Sequence, residues 1–204
     1  MTDPRKHWGQ VYRAKAAAEV SWHQARPALS LELIRAAAAS RAAGIIDVGA
    51  GASRLVDELL AEGFSDITAL DVSEAALANS KQRLGARAEE VDWIVADLTA
   101  WRPERIWDIW HDRAVFHFLT EPSLQDAYIS TLRQATAAGA AAIVSTFALD
   151  GPETCSGLPV QRYSPATLAA RLGPDFVLVD ERSERHVTPW GSAQSFAYAV
   201  FRRR

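Results

Sequence analysis

Asp47, Gly49, Ala50, Gly51 and Ser53 lie in one short stretch, IIDVGAGAS, where an apolar run gives way to small residues. Glycine at such a point lets the backbone turn tightly and lets a ligand approach the main chain with no Cβ in the way. The helix-forming stretch SRLVDELLAEG follows at once, and the N-terminus of a helix offers free N–H groups. About twenty residues further on, where nucleotide-binding α/β folds place a ribose-binding acid, ITALDVS carries Asp71 with Val72 beside it. A carboxylate there can accept both hydroxyls of an adenosine ribose. Ser73 is the better N-cap for EAALANSKQRLG, which leaves Asp71 for a ligand. The next apolar run ends at Ala96-Asp97-Leu98. Its acid is either a plain loop carboxylate or the partner of an adenine amino group, with the Leu98 N–H meeting a ring nitrogen.

A further run, WHDRAVFHFL, sends Asp112 and Arg113 out of an apolar stretch into an aromatic turn with Phe116 and His117. Charges avoid interiors unless paired, so this pair does not read as core. His117 is the acid/base candidate because it follows the pair closely, with helical packing as its plainer role. His111 lies within the strand and reads as structural. A dinucleotide fingerprint would need glycine where Arg54 stands, and a large cation does not permit close helix–strand packing.

These residues need elements to position them. Strand-like runs (GIIDVGAGAS, DITALDVS, VDWIVADL, IWDIWHD, AAAIVSTFA) alternate with helix formers, which predicts a parallel sheet with helices on both faces. LSLELIRAAAASRAAG is expected to be a helix capped by Ser30 and stopped by Gly44. FVLVDERSERHV and AQSFAYAVFRR close the sequence with no helix between them, so one of them runs antiparallel at or near the sheet edge. The 204 residues are expected to form one domain, with 1–28 as an arm or lid and 29–204 as the core. A net charge of −3 gives no nucleic-acid footprint, and one cysteine with five scattered histidines gives no metal site. MTDPRKHW lacks a signal-peptide core and no apolar run could span a bilayer, so a cytoplasmic protein without membrane contact is expected.

The chain resembles the class I (Rossmann-like) S-adenosylmethionine-dependent methyltransferase family over roughly residues 45 to 148. IIDVGAGAS looks like the first motif, which contacts the methionine moiety. Asp71 matches the acid that holds the ribose, and Asp97 in VADL matches the residue that meets the adenine amine. WHDRAVFHFL is similar to the fourth motif, at the boundary between cofactor and substrate. Ser53 stands where the family has a third glycine, and Ala138-Gly139-Ala140 where it has Pro-Gly-Gly. The resemblance implies a seven-stranded sheet with an antiparallel last strand, S-adenosyl-L-methionine as cofactor and S-adenosyl-L-homocysteine as product. Asp-Arg-Ala-Val-Phe-His is similar both to the Asp-Lys-Gly-Thr-x-Asp of elongation-factor lysine methyltransferases and to the Asp-Arg-Gly-Ala-Leu of thiopurine S-methyltransferases. HWGQVY…VSWHQ resembles the arm of the lysine group, but Ala114 replaces its glycine and His117 its aspartate.

Methyl transfer from a sulfonium is an in-line displacement, so alignment and exclusion of water matter most, and a base is needed only for a protonated nucleophile. The substrate side is expected to draw Trp8, Tyr12, Trp22 and His23 from the arm. Cys155 and Arg162 would come from the long loop DGPETCSGLPVQRYS, and His186 and Trp190 from the last turn. Trp22 is the better candidate to touch the cofactor, and Cys155 reads as an inert thiol. The acceptor is expected to be a small molecule methylated on O, N or S. The alternatives are a protein lysine and, in a different class, a non-catalytic adenosine-ligand module; a nicotinamide oxidoreductase is the outside reading. Oligomeric state is not legible from sequence.

Overall fold

A computed structural model describes residues 3–14 and 19–204. The Ala-rich part of the expected arm at 15–18 lies outside them. Five strands come first: β1 (Ile45–Val48), β2 (Ile67–Asp71), β3 (Val91–Val95), β4 (Trp107–Arg113) and β5 (Thr136–Phe147). A two-residue pair follows, β6 (Thr154–Cys155) and β7 (Leu158–Pro159), and then β8 (Phe176–Val187) and β9 (Ala193–Arg203). The described residues build a seven-stranded sheet in the order β3-β2-β1-β4-β5-β9-β8. β1 to β5 are mutually parallel, and β9 runs antiparallel to both β5 and β8.

The strand order reverses between β1 and β4, which both pair with their neighbours through buried apolar residues. A crevice opens outside the carboxyl ends at such a reversal, and ligands of open α/β sheets bind there. One face is covered by α2 (Ala28–Ala37), α3 (Leu55–Ala61) and Leu77 of α4 (Glu74–Leu84). The other is covered by Tyr128, Ile129 and Leu132 of α5 (Pro122–Ala135) with Leu168 and Leu172 of α6 (Pro165–Leu172). Ser73 caps α4 by accepting from the Ala76 N–H, as expected. Edge strand β8 carries Asp180, Glu181, Arg182, Glu184 and Arg185, charges that oppose pairing with another chain.

Two expected boundaries are corrected. α2 begins at Ala28 behind Pro27, not at a Ser30 cap, and Ser30 is a buried helical residue. It also ends at Ala37 rather than at Gly44, because Ala38 is already extended (φ −74°, ψ 128°). Helix α1 (Pro4–Ala14) begins the arm, and its Tyr12 packs with Ala52 and Ala76 beside the glycine loop. Among the described residues no helix is long and apolar enough to cross a membrane.

Candidate cofactor and acceptor site

At the end of β1 the chain turns through Gly49 (φ 66°) and Gly51 (φ 56°). A Cβ on Gly49 would collide with Val115 Cγ2, and one on Gly51 with Tyr12 Oη, so both positions need glycine for space as well as for φ. Asp71 ends β2 just across this loop. Its Oδ2 accepts from Gly51 N at 2.8 Å and its Oδ1 from Ser73 N at 2.7 Å. Asp71 is therefore not idle, as the sequence suggested; it ties the loop to β2, and each oxygen keeps a further lone pair for a ligand. Burial pushes its carboxyl up to about 6, with the Ser73 and Gly51 amides opposing and Asp47 adding to the rise.

A cavity of about 500 Å³ opens here. Gly49, Asp71, Val72, Asp97 and Leu98 line one part of it. Asp97 Oδ1 accepts from Thr99 N at 2.9 Å and Thr99 Oγ1 at 2.7 Å, which fixes the loop carboxylate in place. Trp8, Trp22, Phe118, Phe147, Cys155 and Phe196 give the cavity an aromatic, largely apolar part, with Tyr12 and Arg113 on its wall. Trp8 meets Trp22 and Phe118 edge-on, with ring centroids 5.6 and 5.1 Å apart, so the arm covers this part. Burial pushes the Cys155 thiol up to about 11, which keeps it protonated and unreactive. A second, narrow cleft of about 50 Å³ lies beside Asp47, Gly49, Ala50 and Ser53, with His23 on its rim.

Several expected site residues are placed elsewhere. Asp112 is fully buried and spends its carboxylate on Val115 N (2.8 Å), Phe116 N (3.1 Å) and the Tyr128 hydroxyl (2.7 Å). It shapes the turn that presses Val115 over Gly49 rather than facing a ligand. Phe116 packs on Tyr128 and Tyr163 in the core, and Phe118 lines the cavity in its stead. His117 is also fully buried, wedged edge-on between Phe118 and Phe147, and its Nδ1 accepts from Phe147 N at 3.3 Å. Burial, reinforced by Arg113, pulls its pKa down to about 3, so the imidazole is neutral and packed, not poised for proton transfer. Arg162 holds its own loop through the Gly151 carbonyl and Glu153, and Trp190 projects into solvent at the β8–β9 turn.

Arg113 does something the sequence did not reveal. Its Nη1 donates to the Trp22 carbonyl (3.1 Å), its Nε donates to Tyr198 Oη (3.1 Å), and its guanidinium lies 4.7 Å from the Phe196 ring. His186 Nε2 donates to the Ser21 carbonyl at 2.6 Å, and Gln24 Nε2 donates to Glu184 at 2.8 Å. The arm is thus latched onto β4, β8 and β9. Phe147, last in AAAIVSTF at a carboxyl strand end, could have been found by the rule that found Asp71. Phe196 could not, because its place depends on the antiparallel register that sets it opposite Phe147.

Residues 45–139, which hold β1 to β4, α3 to α5 and the glycine loop, match a family described as a methyltransferase domain. The match and the shared fold support a class I S-adenosylmethionine-dependent methyltransferase with S-adenosylmethionine as cofactor. Its fold is shared, at low identity, with solved enzymes. A SAM-dependent methyltransferase from Anabaena variabilis has a TM-score of 0.76 at 15% identity, covering 100% of this chain and 96% of that one. The 1,6-didemethyltoxoflavin-N1-methyltransferase of Burkholderia thailandensis, solved with its substrate and S-adenosylhomocysteine, scores 0.73 at 22% identity over 100% and 91%. The N-methyltransferase NodS of Bradyrhizobium japonicum, solved with S-adenosylhomocysteine, scores 0.72 at 16% over 97% and 98%. No curated protein matches the chain. The glycine cradle, which any Cβ would fill, and the two carboxylates at the ends of β2 and β3 fit the methyltransferase's cofactor.

Proposed function

We propose that the protein transfers the methyl group of S-adenosylmethionine to a small, predominantly apolar acceptor at an N or S atom. The observation that carries this reading is the makeup of the cavity, which joins a polar part beside the glycine loop to an aromatic part covered by the arm. Asp71 would accept the ribose hydroxyls, Asp97 and Leu98 would meet the adenine, and Asp47 with the Gly49–Gly51 backbone would take the amino-acid end. The bound cofactor supplies an activated methyl group. Trp8, Trp22, Phe118, Phe147 and Phe196 would orient the acceptor and exclude water, and their faces favour a cationic sulfonium. With His117 buried and Cys155 held protonated, the wall offers neither as a base, which favours an acceptor whose lone pair is already free. The 1,6-didemethyltoxoflavin enzyme and NodS are both N-methyltransferases by name, in keeping with this reading.

A protein lysine is the second reading, favoured by the resemblance of the arm. Against it, Arg113 stands on the cavity wall over Phe196, a cation that a lysine ammonium would have to approach, although Glu121 lines the cavity as well. Calorimetry with S-adenosylmethionine, S-adenosylhomocysteine and NAD tests the cofactor assignment. Labelled methyl offered with cell lysate, followed by separation of protein from small molecules, tests the acceptor. Label confined to the protein fraction would overturn the small-molecule reading.

A further inference from the structure

His111 lies in β4 beside Asp47 of β1, the two strands being in register at that pair. Its Nδ1 donates to Asp47 Oδ1 at 2.7 Å, and both side chains are almost wholly buried. On the other side of the ring, His111 Nε2 lies 2.9 Å from Ser30 Oγ on α2. Because the carboxylate can only accept, Nδ1 carries the proton, and in a neutral ring the Ser30 hydroxyl donates to Nε2. Asp47 and His111 both border the narrow cleft of about 50 Å³ next to Gly49.

We propose that His111 is a positioning residue. It holds one oxygen of Asp47 so that the other faces the cleft, and it thereby aims the carboxylate at the ammonium of the cofactor's amino-acid end. The inference rests on the reading of Asp47 given above. A neutral imidazole suits this task for a chemical reason. It fixes the carboxylate by a directional hydrogen bond without cancelling its charge, whereas a lysine or arginine at 111 would form an ion pair and leave little attraction for a ligand ammonium.

The test compares two ligands by calorimetry on the full chain: S-adenosylhomocysteine, and 5′-methylthioadenosine, which lacks the amino-acid end. His111→Phe is expected to weaken S-adenosylhomocysteine by about tenfold or more, the size of one charge-assisted hydrogen bond, and to leave methylthioadenosine unchanged. His111→Asn, whose Nδ2 can stand in for Nδ1, is expected to recover most of that loss. A merely structural histidine would move both ligands together. Equal losses for both ligands, no loss for either, or an asparagine no better than phenylalanine would overturn the proposal. Should His111→Phe fail to fold, Ser30→Ala removes only the Nε2 partner; it must weaken S-adenosylhomocysteine alone, and equal or absent effects count against the proposal. If wild type does not prefer S-adenosylhomocysteine, or Asp47→Asn keeps that preference intact, the reading of Asp47 itself fails and the proposal falls with it.

Discussion

Ala114 shows how much one residue can carry. It sits at φ 70°, a left-handed conformation disfavoured for any residue with a Cβ, where the motifs that WHDRAVFHFL resembles have glycine. Its N–H donates to the Ser145 carbonyl at 2.8 Å, and the Asp112 bonds to Val115 and Phe116 fix the turn on its other side, so the strain persists. Ala114→Gly is expected to raise stability by about 1 kcal/mol, read as a shift in denaturant midpoint. Asp71 predicts a pH effect of two signs. Its folded pKa of about 6 lies above the ordinary 3.8, so its contribution to stability is present below 3.8 and is lost as pH rises through 6. On the proposed reading of Asp71 as the ribose acceptor, ligand binding runs the other way, because the ionised form is the better acceptor for the hydroxyls. The affinity for S-adenosylhomocysteine should therefore weaken as pH falls below about 6, and Asp71→Ala should abolish that dependence while lowering affinity at pH 8. Asp71→Ala will also cost stability, since the Gly51 and Ser73 amides lose their acceptor. For His117 the expectation is a change in stability and not in chemistry. His117→Phe should cost about 1–3 kcal/mol by orphaning the Phe147 N–H and leave kcat within a few-fold of wild type.

Among the elements, the arm decides the most. Its hold on the core includes polar contacts at Ser21, Trp22, Gln24 and Arg26, the Trp8 ring against Phe118, and Tyr12 packed on Ala52 and Ala76. Arg113→Ala removes the bond to the Trp22 carbonyl and leaves Glu184 with one fewer cationic partner. Faster hydrogen exchange at residues 20–24 and a raised KM are expected, with exchange in β1 and β2 unchanged. The strands and α4 with its Ser73 cap were legible because their signals are local: apolar runs, glycines and a capping hydroxyl. The bounds of α2 were not, because Ser30 is a good cap by type and yet is drawn into the helix by its bond to His111. Propensity for a cap lost to a tertiary hydrogen bond.

At the scale of the molecule, the site is where the sheet's order reverses. The carboxyl ends of β1, β2 and β3 bring Gly49, Asp71 and the Ala96–Leu98 turn together on one side of that reversal. The proposed acceptor side is built from β5, β9 and the arm, segments far apart in sequence. Phe196→Leu is expected to raise the acceptor KM about tenfold, roughly the worth of a lost aromatic contact, without changing the affinity for S-adenosylhomocysteine; a loss in both would place Phe196 in the cofactor's half. By itself the sequence determined the sheet and its antiparallel last strand, because strand runs, glycines and strand-end carboxylates are local properties that survive without knowledge of packing, and its motif resemblance pointed to the cofactor. The tertiary structure alone decided which polar residues face the cavity. Asp112 and His117 carry the right chemistry but are consumed by hydrogen bonds in the core, while Arg113 and His111 gain their roles from partners 64 or more residues away. Side-chain orientation at a strand end depends on what packs beneath it, and spacing along the chain does not encode that.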